Sequence, residues 1–147
     1  MRYFVLLLLI VALPGCRRGP APMPEHVQVL SQLSYPAEAE LAADLDIVVV
    51  RRGSALLLTN RTAYPYEQMQ LWLNQQYVSQ IERITIGPEN RFNLKRFTNR
   101  HREPFPVAGF LSPDKAFPVV LAELYDPEAD KRYRLTVNVK DQPSFVR

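Results

Sequence analysis

The sequence predicts an all-β protein, an antiparallel two-sheet sandwich of about seven to eight short strands behind a secretory signal and a proline-rich tether. Three observations carry that expectation. Beyond position 44 the apolar residues recur mostly with period two rather than 3.6, the mark of half-buried strands. Turn residues punctuate the runs at intervals of about ten residues, the spacing of all-β domains. The chain of 147 residues holds 13 prolines, which suit loops and sheet edges, where a missing N–H is tolerated.

The first element is residues 1–15. Arg2 supplies a positive charge, and residues 3–13 are an unbroken apolar run. A bilayer-spanning helix needs about 20 apolar residues, so this run is too short to cross. A positive charge, a short apolar core and small residues make a secretory signal peptide. Leu13-Pro14-Gly15-Cys16 resembles the lipobox of bacterial lipoproteins. Leu13, Gly15 and Cys16 match the pattern, and Pro14 stands where Ala, Ser or Thr is usual. The resemblance implies diacylglycerol on the Cys16 sulfur, cleavage before Cys16 by signal peptidase II, and a further acyl chain such as palmitate on the new N-terminus. Cys16 is the only cysteine, and a thioether to lipid leaves no disulfide partner missing. Arg17 follows it, not the Asp that retains lipoproteins at the inner membrane of Gram-negative cells. In such a cell the resemblance implies the outer membrane, facing the periplasm.

Residues 16–43 are expected to form the lipidated cysteine and an extended linker. Pro20, Pro22 and Pro24 alternate there, and proline favours extended, polyproline-like chain. Residues 36–44 read as a short helical turn with Pro36 at its first position. The formal net charge is +3, and loss of Arg2 with the signal leaves +2. That balance gives no argument for nucleic acid as a partner.

Residues 44–147 are expected to be the β-domain, long enough for one modest core. Residues 45–51 (LDIVVVR) and 55–59 flank Gly53-Ser54, a hairpin pattern. Met69, Leu71 and Leu73 alternate with Gln68, Gln70, Trp72 and Asn74, and Asn74-Gln75-Gln76 turns this strand back into residues 77–81. Residues 84–86 stop at Gly87-Pro88, and residues 91–97 read as a further strand. Residues 117–125 are apolar and end at an Asp126-Pro127-Glu128 turn. Residues 132–140 alternate most clearly, with Tyr133, Leu135, Val137 and Val139 on one face. In strand count and spacing the domain resembles immunoglobulin-like and fibronectin type III-like sandwiches, without the two core cysteines of antibody domains. It is also loosely similar to short domains of bacterial lipoproteins of no known activity.

Two surfaces stand out as binding candidates. Alternation puts Trp72, the sole tryptophan, on the face opposite Met69, Leu71 and Leu73. There it is either an indole platform for stacking a sugar or a core residue covered by a loop or turned in by a bulge. Residues 83–102 are the most basic stretch, with Arg83, Arg91, Lys95, Arg96, Arg100 and Arg102 against Glu89. Guanidinium forks there suit phosphate or carboxylate groups, and the same charges suit an edge guarded against pairing.

Catalytic chemistry finds little purchase. No Gly-x-Ser-x-Gly elbow, phosphate loop or dinucleotide fingerprint is present. His26 and His101 are the only histidines, which leaves no evident zinc set. The acidic residues Glu123, Asp126, Glu128 and Asp130 lack calcium-loop spacing and read as a solvated hairpin turn. The expectation is therefore a lipid-anchored envelope module with no cofactor, no metal and no catalytic residues. Its partners would be the membrane, through Cys16, and an envelope protein or glycan. The alternatives are a carbohydrate- or peptidoglycan-binding module centred on Trp72 and, more remotely, a small hydrolase using His101.

Overall fold

The computed structural model describes residues 24–107, 117–140 and 142. The signal segment, Cys16 and the Pro20–Pro22 repeat lie outside the described residues. Seven strands follow one short helix: α1 (Glu25–Leu30), β1 (Glu40–Arg52), β2 (Ala55–Asn60), β3 (Tyr66–Leu73), β4 (Tyr77–Ile84), β5 (Gly87–Asn93), β6 (Ala122–Asp126) and β7 (Lys131–Asn138). The all-β class is thus as expected. No helix among the described residues is long and apolar enough to cross a membrane.

The hairpins follow from local chemistry. β1 and β2 pair with Arg52 opposite Ala55, which leaves Gly53-Ser54 as a two-residue loop. Gly53 has φ +58 and Ser54 does not have positive φ, the sign pattern of a type II′ turn, whose twist matches that of the strands it joins. β3 and β4 pair with Leu73 opposite Tyr77, and Asn74 and Gln75 take φ of 52 and 59 in the turn. In the β6–β7 turn, Asp126 Oδ1 accepts from the N–H groups of Glu128 and Ala129 at 2.9 and 3.1 Å. The expected strand over 91–97 is cut short instead. β5 ends at Asn93, whose side chain accepts from the Lys95 N–H and caps a 3-10 turn over Leu94–Arg96.

The strands form one sheet in the order β4-β3-β6-β7-β1-β2-β5. This departs in arrangement from two antiparallel sheets: the ladder is continuous, and β1 runs parallel to β7. The last hairpin in the sequence therefore sits in the middle of the sheet. The edge strands β4 and β5 are separated in sequence only by Thr85 and Ile86. Three Cα steps of about 3.8 Å span at most about 11 Å. The edges of a flat sheet of this width would lie roughly 29 Å apart at about 4.8 Å per strand. The sheet must therefore curl until its edges approach, and at the far end Val78 of β4 bridges to Thr98.

Curling encloses one core. Ile47, Val49, Leu56, Leu58, Leu71, Leu73, Ile84 and Leu124 are fully buried in it. Phe97, Phe105 and Val119, from the long β5–β6 connection, close one end. Arg51 continues the inward face of β1 and is 2% exposed. It donates to the carbonyls of Gly53 and Phe117 and stacks over the Phe105 ring. Burial lowers its pKa from the ordinary arginine value.

A second, smaller core lies outside the sheet, where Leu30, Trp72 and Val78 pack with Leu33, Tyr35 and Tyr125. Its cover comes from residues 24–39, which the sequence reading assigns to the extended linker. α1 begins after Pro24, whose carbonyl accepts from the Val27 N–H at 3.0 Å. Beyond α1 the chain is pinned by Tyr35, whose hydroxyl donates to Glu123 Oε2 at 2.6 Å. Residues 36–44 form turns and then the start of β1 instead of a helical turn.

Candidate functional site

Trp72 is on the expected face of β3 but is only 2% exposed. The Tyr35 ring meets it edge-on with centroids 5.6 Å apart, and its indole N–H is satisfied by Gln70 Oε1 at 3.1 Å. The indole is therefore a core residue covered by the N-terminal segment, and Trp72 leaves the set of candidate binding residues. A cavity of about 430 Å³ is lined by Trp72 together with Tyr35, Gln75, Asn99, Arg100 and His101, but at 2% exposure the indole offers little surface there for stacking a sugar.

The segment over Trp72 is held by buried charge. Glu123 is 2% exposed, so the reading of it as part of a solvated acidic turn is corrected. Arg132 Nη1 lies 3.5 Å from Glu123 Oε1 and also donates to the Tyr35 hydroxyl. The same guanidinium donates to the Ala37 carbonyl at 3.1 Å and to the Ala39 carbonyl at 3.0 and 3.1 Å, and it stacks on the Tyr35 ring at 5.3 Å. Burial, then the hydrogen bond to Glu123, raises the Tyr35 pKa above the ordinary tyrosine value.

The basic residues do not form one patch. Arg91, on β5, and Arg96, in the 3-10 turn, face Arg83, Glu82 and Gln80 of β4 across a groove of about 550 Å³. Half-buried Phe92 contributes apolar surface to it, above the buried Ile81 and Phe97. Arg83 is shared with Glu67 at 3.2 Å, and both side chains are more than half exposed, so the pair contributes at most about 1 kcal/mol. Arg91 and Arg96 make no ion pair with any described residue. Arg100 belongs to the cavity beside Trp72. Lys95 and Arg102 are exposed and line neither space.

The sequence reading placed Arg83 in the basic stretch but did not name Gln80, which lines the same groove. The two-residue β4–β5 connection was the signal that could have brought Gln80 toward Arg91, since it sets Ile84 against Gly87.

His101 sits in an exposed turn. Its Nε2 accepts from Arg100 Nε at 3.2 Å, and its backbone N–H donates to Asn99 Oδ1 at 2.9 Å. Among the described residues no serine or carboxylate hydrogen-bonds that ring. No group of three His, Cys, Asp or Glu among them could hold a metal ion. No family model matches the chain, and no curated protein or solved structure matches it.

Proposed function

We propose that this chain is a lipid-anchored cell-envelope lipoprotein whose β-domain is a non-catalytic interaction module, with the β4–β5 groove as its binding surface. The observation that carries the surface is the meeting of Arg83, Arg91 and Arg96 on the walls of one groove, two of them without an ion partner among the described residues. Guanidinium groups so placed favour anionic partners. The address rests on Leu13, Gly15 and Cys16. Two or three acyl chains hold a protein at a membrane far more firmly than one, and confinement there raises its effective concentration for neighbours. In a Gram-negative cell, Arg17 in place of Asp supports the outer membrane, facing the periplasm. The glycan-binding reading centred on Trp72 loses its support with the burial of that ring.

The address is tested by mass spectrometry of the mature N-terminus. Diacylglyceryl-Cys16 is expected, and a free thiol or an uncleaved leader would refute anchoring. The surface is tested by cross-linking in intact cells. The Arg91→Ala/Arg96→Ala variant should lose the adducts of the parent protein while keeping its thermal unfolding midpoint. Retention of every adduct would rule the groove out.

A further inference from the structure

We infer that the groove accepts an extended acidic peptide segment by strand addition to the free edge of β4, a partner class that rests on the groove being the binding surface. Val78 exchanges both backbone hydrogen bonds with Thr98, at 2.9 and 3.0 Å, so its N–H and C=O point away from β3. Backbone groups alternate direction along a strand in an antiparallel ladder. Gln80 and Glu82 therefore present their N–H and C=O on that same outer side, where no described backbone group pairs with them.

The facing wall supplies the charge. On β5 the register sets Phe92 opposite Leu56 and Arg91 opposite Leu57. The two-residue turn makes Arg52 and Ala55 a bonded pair, which turns Leu57 toward β1 and Leu56 toward β5. Arg91 is thus an outward position on a second unpaired edge. Arg96 lines the same groove and also borders a hollow with Gln80 and Val29 of α1.

An edge strand is a template for another chain, and extended peptides are recognised in that way, with backbone bonds giving affinity and side chains specificity. About four residues of extended chain at ~3.3 Å each reach as far as β4 does between Gln80 and Arg83. Carboxylates on the occupant would meet Arg91 and Arg96, whereas a basic segment would be repelled. Among the described residues Glu82 is the one acidic side chain on the walls of the groove, so alternate positions of the occupant, not all of them, should be acidic.

The probe is a library of synthetic pentapeptides alternating Asp or Glu with Val, Ile or Thr, added to the acyl-free mature chain. Amide hydrogen exchange is followed by NMR. The expected result is slowed exchange at Gln80 and Glu82, loss of that protection when alternate peptide amides are N-methylated, and at least tenfold weaker binding to Arg91→Ala/Arg96→Ala. If no library member slows these two amides, strand addition is wrong and the charges act as a guard on the edge. If binding survives N-methylation, or if inorganic phosphate or anionic lipid vesicles compete as well as peptide, the groove reads charge alone. Strand addition then fails while the binding surface stands. Loss of the cellular cross-links with no peptide binding separates the two in the same way.

Discussion

Replacing Arg132 with methionine removes five donor contacts and leaves the Glu123 carboxylate behind, 2% exposed. Only the Tyr35 hydroxyl then donates to it. The Arg132 side chain is itself only 14% exposed and that of Glu123 only 3%, so solvent screens the pair weakly. Removing one partner of such a pair costs about 3–5 kcal/mol. In a domain of this size that lowers the melting midpoint by about 10 °C or more. Urea unfolding and a thermal melt, each followed by Trp72 emission, measure the two effects, because the segment that covers Trp72 is the one Arg132 holds. Methionine keeps the volume of the stem, so the loss is electrostatic rather than a cavity. The double variant Arg132→Met/Glu123→Leu removes both charges and should recover much of the deficit, since a buried pair replaced by apolar groups is often neutral. A single-variant cost below about 1 kcal/mol, or a double variant worse than the single, would refute the clamp.

Other consequences are open to direct measurement. Trp72 emission should be blue-shifted and protected from iodide quenching in the folded protein, and unresponsive to soluble glycans; free quenching would contradict the cover by Tyr35. The raised Tyr35 pKa means the neutral phenol is favoured by folding, so its contribution is complete below about pH 10 and lost as pH rises through the folded value. Tyr35→Phe should accordingly show a shallower alkaline fall in stability than the parent, with Tyr77, raised chiefly by burial, and Tyr125, raised chiefly by its hydrogen bond to Asp130, contributing to what remains. An equal fall in both proteins would mean that Tyr35 is not part of it. Asn74 accepts from the N–H groups of Val120 and Leu121 at 2.9 and 3.1 Å and donates to the Pro118 carbonyl at 2.8 Å, from a backbone at φ 52. Asn74→Ala should cost about 2–3 kcal/mol in urea unfolding, with Asn74→Gly recovering about 1 kcal/mol of the backbone part; equal costs would exclude the backbone contribution.

The hairpins were legible because their signals are local. Gly53-Ser54, the Asn74–Gln76 turn and the alternation through Leu135 each specify a turn or a face within a few residues. The cover over Trp72 was not legible, because its determinants are far apart: Tyr35 meets Glu123 across 88 positions and Arg132 across 97. Alone, Glu123 reads as the first acidic residue of a solvated turn and Arg132 as the polar half of an alternating strand. Only together do they make the outer face of the sheet a buried one. The parallel β1–β7 pair escaped for a similar reason, since period two fixes which face a residue occupies and not which neighbour its strand takes. The groove was half legible. Its charges were visible as a basic stretch, but a straight strand over 91–97 is not what puts Arg96 on the groove that Arg91 and Arg83 also line. The Asn93 cap does that.

The position of the β6–β7 hairpin constrains how the chain acquires its structure. β3 and β4 form one hairpin, and β1, β2 and β5 form a second group, but no ladder joins the two groups except through β6 and β7. The last of the described strands in chain order are therefore the central seam of the sheet. Until it arrives, β1 and β3 each expose a long unpaired side, and the parallel pairing of β1 must wait for partners more than 80 residues downstream. Contacts so distant along the chain make folding slow. Under the proposed export, that delay would keep the chain free of stable tertiary structure until β6 and β7 had crossed. It also makes loss of the β6–β7 hairpin more damaging than loss of the edge strand β5.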